Sequence, residues 1–113
     1  MCSSDLTGVA GTPFSIERIL YPLVNEAAIC LEECVVAAHE LDIAMMAGTG
    51  MPKGPLAYAD EVGLDIVLDG LLAFELALGP RFHPSPYLRR KVRAGHLGTK
   101  AGRGFLTAAL EGV

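Results

Sequence analysis

The chain has 113 residues, net charge -4, 51% hydrophobic and 19% charged residues. That is one domain's worth of chain with enough apolar material for a core, which excludes disorder as the dominant state. Charged residues interrupt every apolar stretch before about 18 residues, so no segment reads as a transmembrane helix. The charge is unevenly spread: residues 1–79 carry 12 acids and 2 bases, residues 80–113 carry 7 bases and 1 acid. Such asymmetry marks either two halves that attract one another or a partner, or a phosphate or nucleic-acid site at the basic end.

Residues 1–13, MCSSDLTGVAGTP, have neither a basic start nor a long apolar core. They do not read as a secretory signal and are expected to form a flexible leader. From Phe14 the residues Ile16, Ile19, Leu20, Leu23, Val24, Ala27, Ala28 and Leu31 recur at helical spacing. They predict a helix to about Cys34 with Thr12 as cap and Pro13 in its first turn. Glu17, Arg18, Tyr21, Asn25 and Glu32 would lie on the opposite face, and Pro22 would kink the helix. Cys30 and Cys34 fall on the apolar stripe and read as small buried core residues rather than a disulfide or a zinc site.

A second helix is expected over His39–Ala47, ended by Gly48-Thr49-Gly50. Gly50-Met-Pro-Lys-Gly-Pro55 holds two glycines and two prolines among its first and last residues and its middle, so it forces a defined turn. Pro55 opens a third helix, Leu56–Val62, and Gly63 breaks it. A fourth, Leu64–Leu78, is apolar on nearly every side except Asp65, Asp69 and Glu75. It is therefore buried either among its own neighbours or against another subunit or domain. Gly79-Pro80 stops it, and Ser85 and Pro86 start a fifth helix through about Ala94. Gly95, Gly98, Gly102 and Gly104 make the tail too glycine-rich for a helix, and it is expected to be an ordered turn anchored by Phe105. No alternating run demands a strand. The fold class is all-α, about five helices packed pairwise and a glycine-rich C-terminal tail.

Little catalytic chemistry is present. His39, His83 and His96 lack a carboxylate placed to make a general base and are read as structural or exposed. No HExxH, CxxC pair, GxSxG or P-loop occurs, and Gly98-Thr-Lys-Ala-Gly-Arg-Gly104 has neither the spacing nor the flanking elements of a nucleotide site. Arg89-Arg90-Lys91-Val92-Arg93 is read as a solvated helix face rather than a nucleic-acid surface, since Tyr87 alone supplies no stacking platform. No catalytic residue, metal site, nucleic-acid contact or membrane contact is expected.

Four blocks in order resemble the C-terminal domain of the NAD-dependent 3-hydroxyacyl-CoA dehydrogenases. They are Arg18-Ile-Leu-Tyr-Pro-Leu-Val-Asn-Glu-Ala27, Leu41-Asp-Ile-Ala-Met-Met-Ala-Gly-Thr-Gly-Met-Pro-Lys-Gly-Pro55, Ala59-Asp-Glu-Val-Gly-Leu-Asp65 and Gly95-His-Leu-Gly-Thr-Lys-Ala-Gly-Arg-Gly-Phe105. Pro80-Arg-Phe-His-Pro-Ser-Pro86 is similar as well. The resemblance implies a helical domain over 14–106, like the C-terminal domain of 6-phosphogluconate dehydrogenase, with 107–113 as a tail. It implies a substrate-cleft and dimerisation role in oxidising L-3-hydroxyacyl-CoA to 3-oxoacyl-CoA during fatty-acid β-oxidation. A Rossmann domain, in cis or in trans, would bind the NAD and carry the catalytic His–Glu pair; this chain would bind no cofactor alone and be inactive alone. The implied substrate-side residues are Glu17, Met51, Pro52, Gly54 and Pro55. The family has Asn where this chain has Glu17, and an ionised carboxylate cannot donate as an amide does. The resemblance also implies a cytoplasmic homodimer. The alternative is a non-catalytic helical self-association module with a degenerate substrate site.

Overall fold

The computed structural model describes residues 15–106. Those residues hold five α-helices: α1 (Glu17–Glu32), α2 (Ala38–Thr49), α3 (Pro55–Val62), α4 (Leu64–Leu78) and α5 (Pro86–Arg93). Short 3-10 turns at Pro80–Phe82 and Thr99–Ala101 complete them, with one isolated bridge between Gly98 and Arg103 and no strand among the described residues. The all-α expectation holds. The leader, the tail at 107–113, and the expected capping by Thr12 and Pro13 lie outside the described residues.

The breaks fall where glycine and proline put them. Gly50 ends α2 at φ 76° with its N–H on the Met46 carbonyl, while Gly48 is carried inside the helix. Pro55 takes the first position of α3, and the Ser85 hydroxyl accepts the Leu88 N–H to cap α5. α1 runs unbroken past Pro22.

Two expectations about α1 are corrected. The helix stops at Glu32, and Cys34 lies beyond it at φ 61°, exposed, while Cys30 is only half-buried. Neither is a fully buried core residue. The buried face is also turned from the one the apolar residues mark. Ile16 and Ile19 are 56% and 58% exposed, whereas Tyr21 and Asn25 are buried with Val24, Ala27 and Ala28. The reason is specific bonding. The Asn25 side-chain amide donates to the His83 carbonyl (3.0 Å) and its oxygen accepts the Ser85 N–H (2.7 Å), so burial leaves neither end unpaired. The Tyr21 ring lies against Gly70 of α4, where a Cβ would overlap it.

The core joins Val24 and Ala28 of α1, Leu56 and Ala59 of α3, Leu64, Val67 and Leu71 of α4, and Leu88 of α5, closed by Phe82 and Phe105. Phe105 anchors the tail as expected, stacked on Tyr87 at 5.9 Å. Lys91 Nζ sits over both rings and donates to the Gly104 carbonyl; burial there pulls its pKa down. Among the described residues the ion pairs Glu32–Arg90 and Asp65–Lys100 link the basic end to the acidic part. Attraction between the two halves thus accounts for part of the charge asymmetry. His83, expected from the sequence to lack a carboxylate partner, instead has its Nδ1 2.8 Å from Glu75 Oε2 because the 80–85 loop folds back on α4.

Candidate functional site

Two carboxylates that drew no notice in the sequence position the site. Asp42, buried in α2, accepts the N–H groups of Leu56 (2.9 Å) and Ala57 (2.8 Å). Those are donors of the first turn of α3, unsatisfied within the helix, and the negative charge faces the positive end of the helix dipole. A side chain on one helix therefore caps another 14 residues on and fixes the Gly54–Pro55 end of the intervening turn. Gly54 is required by this arrangement, because a Cβ there would overlap the Asp42 carboxylate. At the other end of α3, Asp60 accepts the N–H groups of Phe105 and Leu106 (2.8 Å each) and so holds the glycine-rich tail.

The turn and α1 enclose an apolar pocket of about 210 Å³ lined by Leu20, Leu23, Val24, Met51, Pro52, Lys53, Pro55 and Tyr58. A smaller apolar hollow beyond Leu23 and Pro55 reaches Cys30, Leu41 and Met45. Lys53 aims its charge at Glu61 (2.5 Å). Of the residues marked in the sequence, Met51, Pro52 and Pro55 come together on the pocket wall. Gly54 is buried beside the wall against Asp42 and is not on it. Glu17 is not on the wall either. It lies on the first turn of α1, and its charge is felt at both Tyr21 and Tyr58. Burial raises both phenol pKa values, with Tyr21 and then Glu17 adding to the rise at Tyr58. Glu17 thus borders the pocket through Tyr58. Glu17→Gln is expected to lower the pKa of both phenols, read by absorbance titration at alkaline pH with Tyr87 unmoved; unchanged titration would separate Glu17 from the pocket.

Leu20, Leu23 and Tyr58 were not marked as site residues. Leu20 and Leu23 carried a signal only as part of the apolar stripe, and Tyr58 carried none, because its place depends on how α3 lies on α1. Chemically the site is an apolar wall whose polar groups are the Lys53 amine, paired with Glu61, and the Tyr58 hydroxyl, with the Glu17 carboxylate near Tyr58. Among the described residues there is no cluster able to hold a metal ion. No helix there is long and apolar enough to cross a membrane.

Residues 14–108 match the family model described as 3-hydroxyacyl-CoA dehydrogenase, C-terminal domain. The chain is 43% identical over 93 residues to a Bacillus subtilis protein named "Probable 3-hydroxybutyryl-CoA dehydrogenase", covering 81% of this chain and 32% of that one. It is 35% identical over 95 residues to the mitochondrial hydroxyacyl-coenzyme A dehydrogenase of Sus scrofa, covering 81% and 30%. Among solved structures, (S)-3-hydroxybutyryl-CoA dehydrogenase from Ralstonia eutropha superposes with a TM-score of 0.79 at 39% identity, covering 82% of this chain and 33% of that one. The chain spans about a third of the length of these relatives.

Proposed function

Because the chain belongs to the family of 3-hydroxyacyl-CoA dehydrogenase C-terminal domains, we propose that α1 and the Met51–Pro55 turn are one wall of an acyl-CoA cleft. An NAD-binding domain, in cis or in trans, supplies the other wall. The observation that carries this reading is the apolar pocket between Leu20, Leu23, Met51, Pro52 and Tyr58. Its volume of about 210 Å³ falls below the roughly 300–1,000 Å³ of complete small-molecule sites, which suits half of a crevice. Leucine, methionine and proline side chains receive an aliphatic acyl chain by burial alone.

In this reading NAD, held by the other domain, takes the hydride as an L-3-hydroxyacyl-CoA becomes a 3-oxoacyl-CoA. The residues of this chain bind and orient; they do not transfer protons. Met51, Pro52 and Pro55 shield the chain of the substrate from water, Asp42 and Gly54 hold that turn rigid, and Glu17 sets the charge at the rim. The domain also pairs with a second copy and works in the cytoplasm. The second reading, a self-association module that has lost its substrate role, is favoured by Glu17 alone, whose carboxylate repels the phosphates of CoA.

A chimera tests the choice. Residues 14–108 replace the matched third of the Bacillus subtilis relative, and NADH is followed with 3-hydroxybutyryl-CoA and NAD. The chimera is expected to turn over, faster with Glu17→Asn, and the 113-residue chain alone is expected to form no NADH. A folded, NAD-binding chimera that stays inactive even with Glu17→Asn would overturn the cleft.

A further inference from the structure

The second apolar hollow, of about 160 Å³, adjoins the pocket. Leu23 and Pro55 line both, so these two side chains form the ridge between them. Beyond the ridge the hollow is bounded by Ala27 and Cys30 of α1 and by Leu41 and Met45 of α2, with the exposed Glu26 as its one charge.

The two halves of the ridge differ in kind. Pro55 is fully buried at the first position of α3, its ring fixes the backbone, and Asp42 grips the next two N–H groups. Leu23 is half-buried on α1, and its reach depends on its length and rotamer alone. The size of the side chain there therefore decides whether the two spaces communicate. The lining decides what enters. A thiol and a thioether among alkyl groups act as small, adaptable hydrophobic surface. Water is held well only by two or more polar partners, which this lining is poor in. The Glu26 carboxylate repels a tail that ends in negative charge. A methyl-ended alkyl tail fits, and it arrives only as the continuation of a chain already lying in the first pocket.

We propose that Leu23 sets the length of the acyl chain. As leucine it closes the first pocket behind a short chain, and the hollow around Cys30 and Met45 is space that a longer chain fills once Leu23 is made smaller. The proposal rests on the cleft reading and names the substrate class within it: short, uncharged acyl chains. Each methylene moved from water into such a lining is about fourfold in affinity, so burying two exceeds tenfold.

The same chimera tests it, with 3-hydroxybutyryl-CoA and 3-hydroxydecanoyl-CoA compared as kcat/KM. Leu23→Ala is expected to raise the decanoyl-to-butyryl ratio at least tenfold, and Leu23→Val to raise it less. Adding Cys30→Phe to Leu23→Ala refills the hollow and is expected to return the ratio toward its starting value. Met45 gives a readout apart from turnover. Its methyl resonance is expected to shift with 3-oxodecanoyl-CoA and NAD in the Leu23→Ala chimera and to stay still in the unsubstituted one. A folded Leu23→Ala or Leu23→Val chimera that oxidises 3-hydroxybutyryl-CoA with an unchanged ratio and a still Met45 would overturn the proposal and leave the cleft standing. So would an unsubstituted chimera whose Met45 already responds to the long ligand. A chimera inactive on both substrates, even with Glu17→Asn, would remove the cleft and this inference together.

Discussion

Asp42→Ala is expected to lower the unfolding free energy by about 2–4 kcal/mol, the loss of two hydrogen bonds from a charged acceptor to otherwise unsatisfied N–H groups. For a domain near 100 residues that is a fall in Tm of roughly 10–20 °C. The cost is high because Asp42 is 4% exposed and water cannot easily replace it at Leu56 N and Ala57 N. Asp42→Asn should cost less, since one amide oxygen can still accept while its NH2 group faces the other donor. Gly54→Ala should approach Asp42→Ala, because its Cβ would drive the carboxylate away. The loss should also reach the pocket, because α2 meets the rest of the domain chiefly at α3 and carries only Leu41 and Asp42 as buried residues. Thermal unfolding of the three variants gives the order; a full-strength Asp42→Ala would contradict the capping role.

Gly98→Ala carries the second large effect, about 3 kcal/mol or more. Gly98 sits at φ 107°, ψ -152°, a region open in practice to glycine alone. An added Cβ would also overlap the backbone carbonyl of Asp60, which belongs to α3 and cannot step aside. Two costs therefore add at one residue. The Gly98 N–H closes the tail loop on the Arg103 carbonyl at 2.6 Å. Losing that closure should free the Phe105 and Leu106 amides from Asp60 and unstack Phe105 from Tyr87. Amide exchange at Phe105 should speed up before the core helices do. A Gly98→Ala protein with wild-type stability and protected Phe105 would show that the tail is not held in this way.

Much of the fold was legible because short-range chemistry writes it. Pro55, Gly63, Gly79, Ser85 and Pro86 each set a helix boundary from within their own few residues, and the boundaries of α3, α4 and α5 followed. The face of α1 was not legible. Counting apolar residues marked Ile16 and Ile19 as inward, whereas the face is decided by Asn25 meeting a loop some 60 residues on and by Tyr21 meeting Gly70. Cys34 looked helical because the apolar spacing continued through it, yet the chain turns at a left-handed residue there. In the site, Met51, Pro52 and Pro55 were legible through the turn they build. Asp42 and Asp60 were not, because a buried capping carboxylate looks like any surface acid until its distant partner is known. Leu76 shows the converse: the sequence left open whether α4 is wrapped by its own neighbours or meets another subunit or domain, and only the structure shows that one side is left bare.

The most direct test of the cleft is a methyl-resolved NMR titration of the chimera with acetoacetyl-CoA in the presence of NAD. The account predicts that shifts cluster on Leu20, Leu23, Val24 and Met51, while Leu88 in the core and Leu76 on the far side of α4 stay still. Saturating ligand that leaves the four pocket methyls unmoved, with the fold intact, would contradict it.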